Sequence, residues 1–508
     1  MGIAVLSMTP ALAGLLMPRN LPKTLQVWLF TGLVCVLFFV FLSYLPVVTE
    51  QGTVEATIPW VPELGLSLSL YLDGLSLLFG LIITGVGAAI VVYAGYYFED
   101  VQERSRFYML LLAFMSAMLA LVLVGNVLTL FIAWELTSIL SFLLISFKSE
   151  LPEARSGALQ ALVITGGGGL ALFVGLLMLS AASGSTQMSE ILSHGDLHTH
   201  PWYSAFTILI LIGCFSKSAQ FPLHFWLLGA MSAPTPASAY LHSATMVKAG
   251  IYLLARLYPV LSEGPLWHQT LLVIGLTTMA VGATLALPQR DLKACLAYST
   301  ISQLGAFTAL LALPEGEGLK AALVGIVAHS LYKATLFLIV GAVDHATGTR
   351  DLNKLGGIHQ RMPGWAFAAV VVGLSMAGIP PLLGFVAKEA LLDAALVSPL
   401  TLVVVVYSAV LTVAMALILV WDVFFAAPQH ENDAQDPHEH HFHATPQCML
   451  IGPAVLAFGS LLTGLQLDWL IRPIIAPSIQ GDLHLTLFSG FNLPFFLSLG
   501  AVAGGLAV

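Results

Sequence analysis

Charge is scarce in this chain. Of 508 residues only 18 are Lys or Arg and 27 are Asp or Glu, 9% in all. A water-soluble protein carries about 25%, so a conventional soluble domain is ruled out. Cysteine is scarcer still. Cys35, Cys214, Cys295 and Cys448 stand far apart with no CxxC pair, which argues against an iron–sulfur or zinc site and against a disulfide framework. GxGxxG, Walker-type and nucleophile-elbow motifs are missing, so no nucleotide-binding or hydrolase centre is indicated. No cofactor or metal is expected, and the chain does not read as an enzyme.

What the sequence has in quantity is apolar residues, 58% of the total. Apolar windows of the length needed to cross a bilayer, roughly 17–25 residues, recur from end to end. They predict an all-α polytopic membrane protein with fourteen to fifteen spans, at about 2–17, 25–46, 73–97, 107–124, 126–147, 156–182, 203–230, 239–260, 268–287, 292–313, 318–346, 364–397, 402–426, 447–466 and 487–508. The N-terminal run lacks a basic region before it and reads as a first span rather than a signal peptide. Proline removes a backbone donor and clashes with the preceding turn, so the span at 203–230 breaks at Pro222 and that at 364–397 at Pro380 and Pro381.

Lys and Arg favour the cytoplasmic loops of membrane proteins. Eleven fall in alternate loops of one parity (Arg19, Lys23, Arg104, Arg106, Lys148, Arg155, Arg290, Lys293, Arg350, Lys354, Arg361) and three in the other (Arg256, Lys320, Arg472). The count predicts an external N-terminus, and helix parity puts the histidine-rich 430–443 loop in the cytoplasm. That loop ("HENDAQDPHEHHFH") reads as a solvated connection rather than a metal site.

The four basic residues left over, Lys217, Lys248, Lys333 and Lys388, all fall inside predicted spans, as does Glu135 in "LFIAWELTSILSF". A charge at mid-membrane costs about 2.5–3.5 kcal/mol on insertion scales. For Lys333 and Lys388, snorkelling to the interface is the bland alternative; for His242 and His329 it is simple packing. The functional reading is a proton path. Burial disfavours the charged form of an amine and a nearby carboxylate restores it, so a close Glu135–Lys217 pair would switch proton affinity with geometry. Pro222, five residues after Lys217, frees carbonyls that can line a hydrated cavity. A second broken helix, "GLSMAGIPPLLGFVAKEALL", lies 158 residues on, from Pro222 to Pro380. Paired interrupted helices mark inverted repeats. "TGGGG" (Thr165 to Gly169) reads as a close-packing stretch rather than a hinge.

The stretches "YLDGLSLLF", "FSKSAQFPLHFWL", "APTPASAYLHSATMVKAGIYLLARL", "LKACLAYSTISQLG", "AHSLYKATLFLIVGAVDHATGTRD" and "SMAGIPPLLGFVAKE" resemble the antiporter-like subunits of the complex I superfamily. Within it, the chain is most similar to the large A subunit of multisubunit Mrp-type sodium/proton antiporters, strongly over about 65–395. The resemblance implies N-terminal helices (1–106), two inverted five-helix repeats (107–260 and 261–426, spans 4–8 and 9–13) with broken spans 7 and 12, and a histidine-rich loop with C-terminal helices (427–508). It implies a proton relay of Glu135, Lys217, Lys248, His329, Lys333 and Lys388, with Asp73, His242, Asp344, His345 and Glu389 as supporting groups on the ion path. It further implies partner membrane subunits, H⁺ and Na⁺ as transported ions, and a bacterial or archaeal cell membrane, with no role for nucleic acid. Lys248 and "DHATGTRD" favour an Mrp-type large subunit over a respiratory one. A pump subunit of a complex I-like dehydrogenase or membrane hydrogenase, and an interaction subunit of a bicarbonate-concentrating enzyme, remain as alternatives. The large Mrp subunits run on through a lateral helix and further spans, whereas this sequence stops inside an apolar run, so either it is part of something longer or the variant is short.

Overall fold

A computed structural model describes residues 2–16, 21–61, 63, 65–313, 316–427, 442–479, 483, 485–488 and 490–508. Ten described helices are long and apolar enough to cross a membrane, and four shorter apolar ones accompany them: Gly2–Leu16, Tyr203–Lys217, Pro363–Ala377 and Leu493–Ala507. A helix stands in every apolar segment marked out above. Their starts are set locally by side-chain caps, which satisfy the orphan amides of a first turn. Asp73 accepts from Ser76, Asp100 from Gln102 and Glu103, Asn126 from Leu128 and Thr129, and Asp291 from Ala294.

The helices Gly74–Tyr97, Thr235–Leu261 and Glu317–Thr347 are the most enclosed spans, and one continuous apolar cluster runs through them. Helices such as Pro152–Ser183 keep an exposed apolar face, with Leu159, Val163, Leu170 and Val174 uncovered. That is the pattern of a bundle whose rim meets lipid or another chain.

The fold departs from the sequence-based expectation in three places. The first is a β-hairpin, β1 (Val54–Val61) and β2 (Leu66–Leu72), paired antiparallel with Val54 opposite Leu72 and a register shift between Pro59 and Val61. It is anchored to the bundle by the Gly125 amide on the Ser69 carbonyl (2.9 Å) and by Asn126 Nδ2 on the Gly65 carbonyl (3.0 Å). The alternation of "LSLSLYL" carried its signal.

The second departure is a third interruption. The span predicted as continuous over 239–260 is two helices, Thr235–Ser243 and Ala249–Leu261, joined through a short turn at Met246–Lys248. No proline causes it. The Thr245 hydroxyl instead donates to the Tyr240 carbonyl (2.7 Å), competing with the backbone ladder as hydroxyl side chains do.

Third, the basic residues do not divide cleanly into loop and mid-span sets. Arg104, Arg256 and Lys293, counted as loop charges, are all buried. Arg104 Nε donates to Gln26 Oε1 (3.0 Å). The basic asymmetry between alternate loops keeps its sign without them. Of the 430–443 loop, residues 430–441 lie outside the described residues. At its end, His443 donates its amide to the Ala346 carbonyl (2.9 Å), at the same end of the bundle as Arg350 and Lys354.

Arg256 holds the opposite end together. Its guanidinium meets both Asp73 oxygens, one of them at 2.8 Å, and also the Ser76 and Tyr252 hydroxyls. Burial works against the Asp73 carboxylate, but Arg256 and the Ser76 amide outweigh it and hold its pKa below the ordinary carboxylate value. Removing one partner of such a pair costs about 3–5 kcal/mol, so Asp73→Asn and Arg256→Ala are each expected to lower the thermal stability of the purified protein markedly. Because the folded pKa is depressed, the pair's contribution is complete above the ordinary carboxylate range, near pH ~4. It is lost as pH falls through the lowered value. Thermal unfolding across pH checks this: the gap between wild type and Asp73→Asn should hold from neutral pH down to that range and close below it. A gap that does not close would refute the assignment.

Candidate functional site

The site is built around two proline breaks and the long helix between them. Tyr203–Lys217 ends at Lys217 itself, and both the Phe221–Pro222 and Pro380–Pro381 bonds are cis. The chain around the first break is tied down by polar contacts. The Gln220 amide reaches the Phe215 carbonyl (2.9 Å), Trp226 Nε1 reaches the Ser216 carbonyl (2.9 Å), and the Phe221 amide reaches Thr278 Oγ1 (2.9 Å). Helix Ala249–Leu261 lies directly against it. A side chain on Gly250 would overlap the Cys214 carbonyl, so glycine there lets the Lys248 turn approach the Lys217 helix end.

Lys217 is fully buried. Its ammonium donates to the Trp134 carbonyl (2.8 Å) and the Ser138 hydroxyl (2.7 Å) and lies 5.0 Å from the centre of the Trp134 ring. No ion pair within 4.0 Å joins it to Glu135, although the carboxylate lies near enough to act on the ammonium electrostatically. The reason is helical phase. Glu135 follows Trp134, about 100° further round the axis at 3.6 residues per turn, and that step carries its carboxylate from the core to a half-buried face. The acid and the amine are neighbours through Trp134 and act on each other beyond ion-pair distance.

The helix Glu317–Thr347 carries the middle of the row. Lys248 donates to the Ile326 carbonyl (3.0 Å) and to the Ser330 hydroxyl. His329 and Lys333 follow one turn apart on the same helix, both fully buried. Lys333 donates to the Ser299 hydroxyl, which itself donates to the Leu296 carbonyl (3.0 Å). Among the described residues, none of these lysines has a carboxylate within 4.0 Å. Each is held instead by carbonyls and hydroxyls, ligands that can solvate an ammonium without fixing its charge.

Beyond this row lies a cavity lined by Gln303, Phe307, Tyr332, Ser375, Thr412 and Lys388, among others. Lys388 turns into it, with its ammonium donating to the Ala377 carbonyl (2.9 Å). Its side chain lies against Gly378, which has φ +69°, beside the second break. It therefore does not stretch to the membrane surface. Glu389, the adjacent residue, lines a different cavity with Glu317, Lys320 and Asp393; it acts on Lys388 electrostatically but lies outside the 4.0 Å of an ion pair.

The remaining sequence-marked residues sit apart from this row. Asp73 is engaged with Arg256 at the bundle end. Asp344 and His345 lie eleven and twelve residues past Lys333, about 16–18 Å along the helix at 1.5 Å per residue, where the His345 ring stands 6.1 Å from that of Tyr97. His242 is fully buried between Trp226 and Phe337, and neither ring nitrogen has a hydrogen-bond partner among the described residues. Sequence reasoning missed Lys293, which is buried and donates to the carbonyls of Met231 (3.4 Å) and Ala233 (2.9 Å). Its place two residues after Asp291, the helix cap, made it read as a loop charge. Gln303 and Tyr332 were missed as well, and nothing but their polarity in an apolar helix marked them.

Five buried or half-buried groups, Lys217, Lys248, His329, Lys333 and Lys388, thus run through the core between two broken helices. The family described as NADH:quinone oxidoreductase/Mrp antiporter matches residues 124–412. The chain belongs to this family. The region described as the N-terminus of complex I chain 5 matches residues 58–108. The probable A/B subunit of a K⁺/H⁺ antiporter of Rhizobium meliloti is 41% identical over 496 residues, 95% of this chain and 49% of that protein. The A subunit of the Na⁺/H⁺ antiporter of Alkalihalophilus pseudofirmus is 39% identical, over 94% of this chain and 64% of its own length. The chain therefore spans about half to two thirds of these family members. A structure of the Mrp complex from Dietzia sp. superposes with a TM-score of 0.89 at 33% identity, covering 99% of this chain and 55% of that one. The archaeal membrane-bound sulfane sulfur reductase complex shares the fold, with a TM-score of 0.82 at 22% identity.

Proposed function

We propose that this chain is the proton-translocating part of the large subunit of a multisubunit Na⁺/H⁺ antiporter. Protons pass between Glu135 and Lys388 by way of Lys217, Lys248, His329 and Lys333, and the partner subunits take part in cation exchange. One observation carries the reading: three buried lysines and one half-buried, held by carbonyls and hydroxyls, with no carboxylate within ion-pair distance of any of them among the described residues. Such groups exchange protons at modest cost, because neither state is locked by a partner, whereas a salt-bridged lysine would hold its charge. The two breaks at Pro222 and Pro380–Pro381 supply polar backbone beside the first and last lysine of the row, and the two five-helix units at 107–260 and 261–426 form two half-channels. The chain sits in a cell membrane with its N-terminus outside and the Arg350–Arg361 connection in the cytoplasm.

Ion movement in membrane vesicles holding the assembled complex tests this. A sodium pulse is expected to collapse a preformed pH gradient, and vesicles from cells lacking this chain should not respond. A full response without the chain would refute the reading. In the same vesicles, single cysteines at Glu317 and Arg350 should label from the outside and the inside respectively, and the reverse labelling would overturn the orientation.

A further inference from the structure

The glycine run Gly166 to Gly169 lies on helix Pro152–Ser183, which packs between the helix bearing Glu135 and the helix bearing Lys217. Its members meet different surroundings. A Cβ on Gly167 would touch nothing within 4 Å, and one on Gly166 would lie 3.9 Å from Glu135 Oε2. One on Gly168 would collide with the Ser216 side chain, next to Lys217. One on Gly169 would overlap Glu135 Oε1, while standing 3.0 Å from its Cδ and 3.3 Å from Trp134 Cδ1. Glu135 Oε1 is buried with no hydrogen-bond partner among the described residues, so this contact with Gly169 is what defines its place. Beside Glu135 on the same helix, three before, one after and four after it, Ile132, Leu136 and Ile139 form an apolar face 43–50% exposed.

We propose that Gly169 is a positioning residue for Glu135. Its missing side chain seats the carboxylate between two helices, by the edge of the Trp134 ring, and keeps it from swinging to the adjoining apolar face. The obstacle a methyl group would meet is the end of a flexible side chain rather than backbone. Gly169→Ala should therefore displace the carboxylate and leave the bundle intact. The close-packing role expected of the whole run holds for Gly168; Gly169 adds a task that packing alone does not set.

The inference rests on Glu135 belonging to the proton path, and the test separates the two. In vesicles with the assembled complex, Gly169→Ala should lower sodium-driven proton movement at least tenfold with normal assembly, whereas Gly167→Ala should leave it unchanged. Glu135→Asp withdraws the carboxylate by one methylene, so adding it to Gly169→Ala should raise transport to the level of Glu135→Asp alone. Position is read independently of transport by modification with dicyclohexylcarbodiimide, followed by peptide mass. Glu135 should react faster in Gly169→Ala than in wild type or Gly167→Ala. Equal reaction rates, wild-type transport by Gly169→Ala, or failed assembly that Glu135→Asp does not relieve would each overturn the proposal. If Glu135→Gln transports normally, the relay reading of Glu135 falls, while the labelling still decides whether Gly169 seats it.

Discussion

Alanine at Lys217 is expected to stop sodium-driven proton movement. Loss of a positioned proton-transfer group costs about 10²–10⁴-fold, which puts the variant at the floor of a vesicle assay. The structure explains why no neighbour substitutes. The ammonium is fully enclosed, and its two partners, the Trp134 carbonyl and the Ser138 hydroxyl, hold no mobile proton of matching affinity. Arginine should fail too, because a guanidinium stays protonated and cannot release what it receives. Glutamine separates the structural contribution from the chemical one. It can still donate to both partners, so Lys217→Gln should assemble normally and remain inactive. Transport by either the arginine or the glutamine variant would show that Lys217 only plugs a polar gap.

A comparable loss is expected at Lys388, where the sequence left two readings open. A lysine stretching to the interface would tolerate arginine and would matter for assembly. The structure turns this side chain inwards, onto the Ala377 carbonyl and into the cavity with Gln303, Tyr332, Ser375 and Thr412. Lys388→Ala should then abolish proton movement while the complex still forms, and Lys388→Gln, which keeps a donor for Ala377, should be equally inactive. The neighbouring Glu389 faces another cavity, so Glu389→Gln should have a much smaller effect than either. Vesicle flux together with native gel analysis checks all three. Flux retained by Lys388→Gln would end the role of this residue in the relay.

Much of this arrangement was legible because a membrane makes charge expensive. Lys217, Lys248, Lys333, Lys388 and Glu135 stood out as isolated ions in apolar runs, and Pro222 and Pro380–Pro381 declared their own breaks. What could not be read depended on side-chain reach and helical phase. The spacing of Glu135 and Lys217 says nothing of the one-residue rotation that gives Lys217 the Trp134 carbonyl and leaves Glu135 against Gly169. The interruption before Lys248 comes from a threonine hydroxyl, a common residue that rarely breaks a helix. Lys293 and Arg256 lie close enough to helix ends to look like loop charges, and only the packing of other helices buries them. The hairpin at Val54–Leu72 had a period-2 signal in its second strand and almost none in its first, where Pro59 and the register shift interrupt the pattern.

The account stands on protons crossing the middle of the row, where Lys333 joins the two halves. The most direct measurement is sodium-driven proton flux in proteoliposomes holding the whole complex, wild type against Lys333→Met. Methionine keeps the length and apolar volume of the lysine stem and removes only the ammonium that meets Ser299. The expected result is an assembled complex whose proton flux is reduced by about 10²-fold or more. Flux at the wild-type rate through an assembled Lys333→Met complex would contradict the relay.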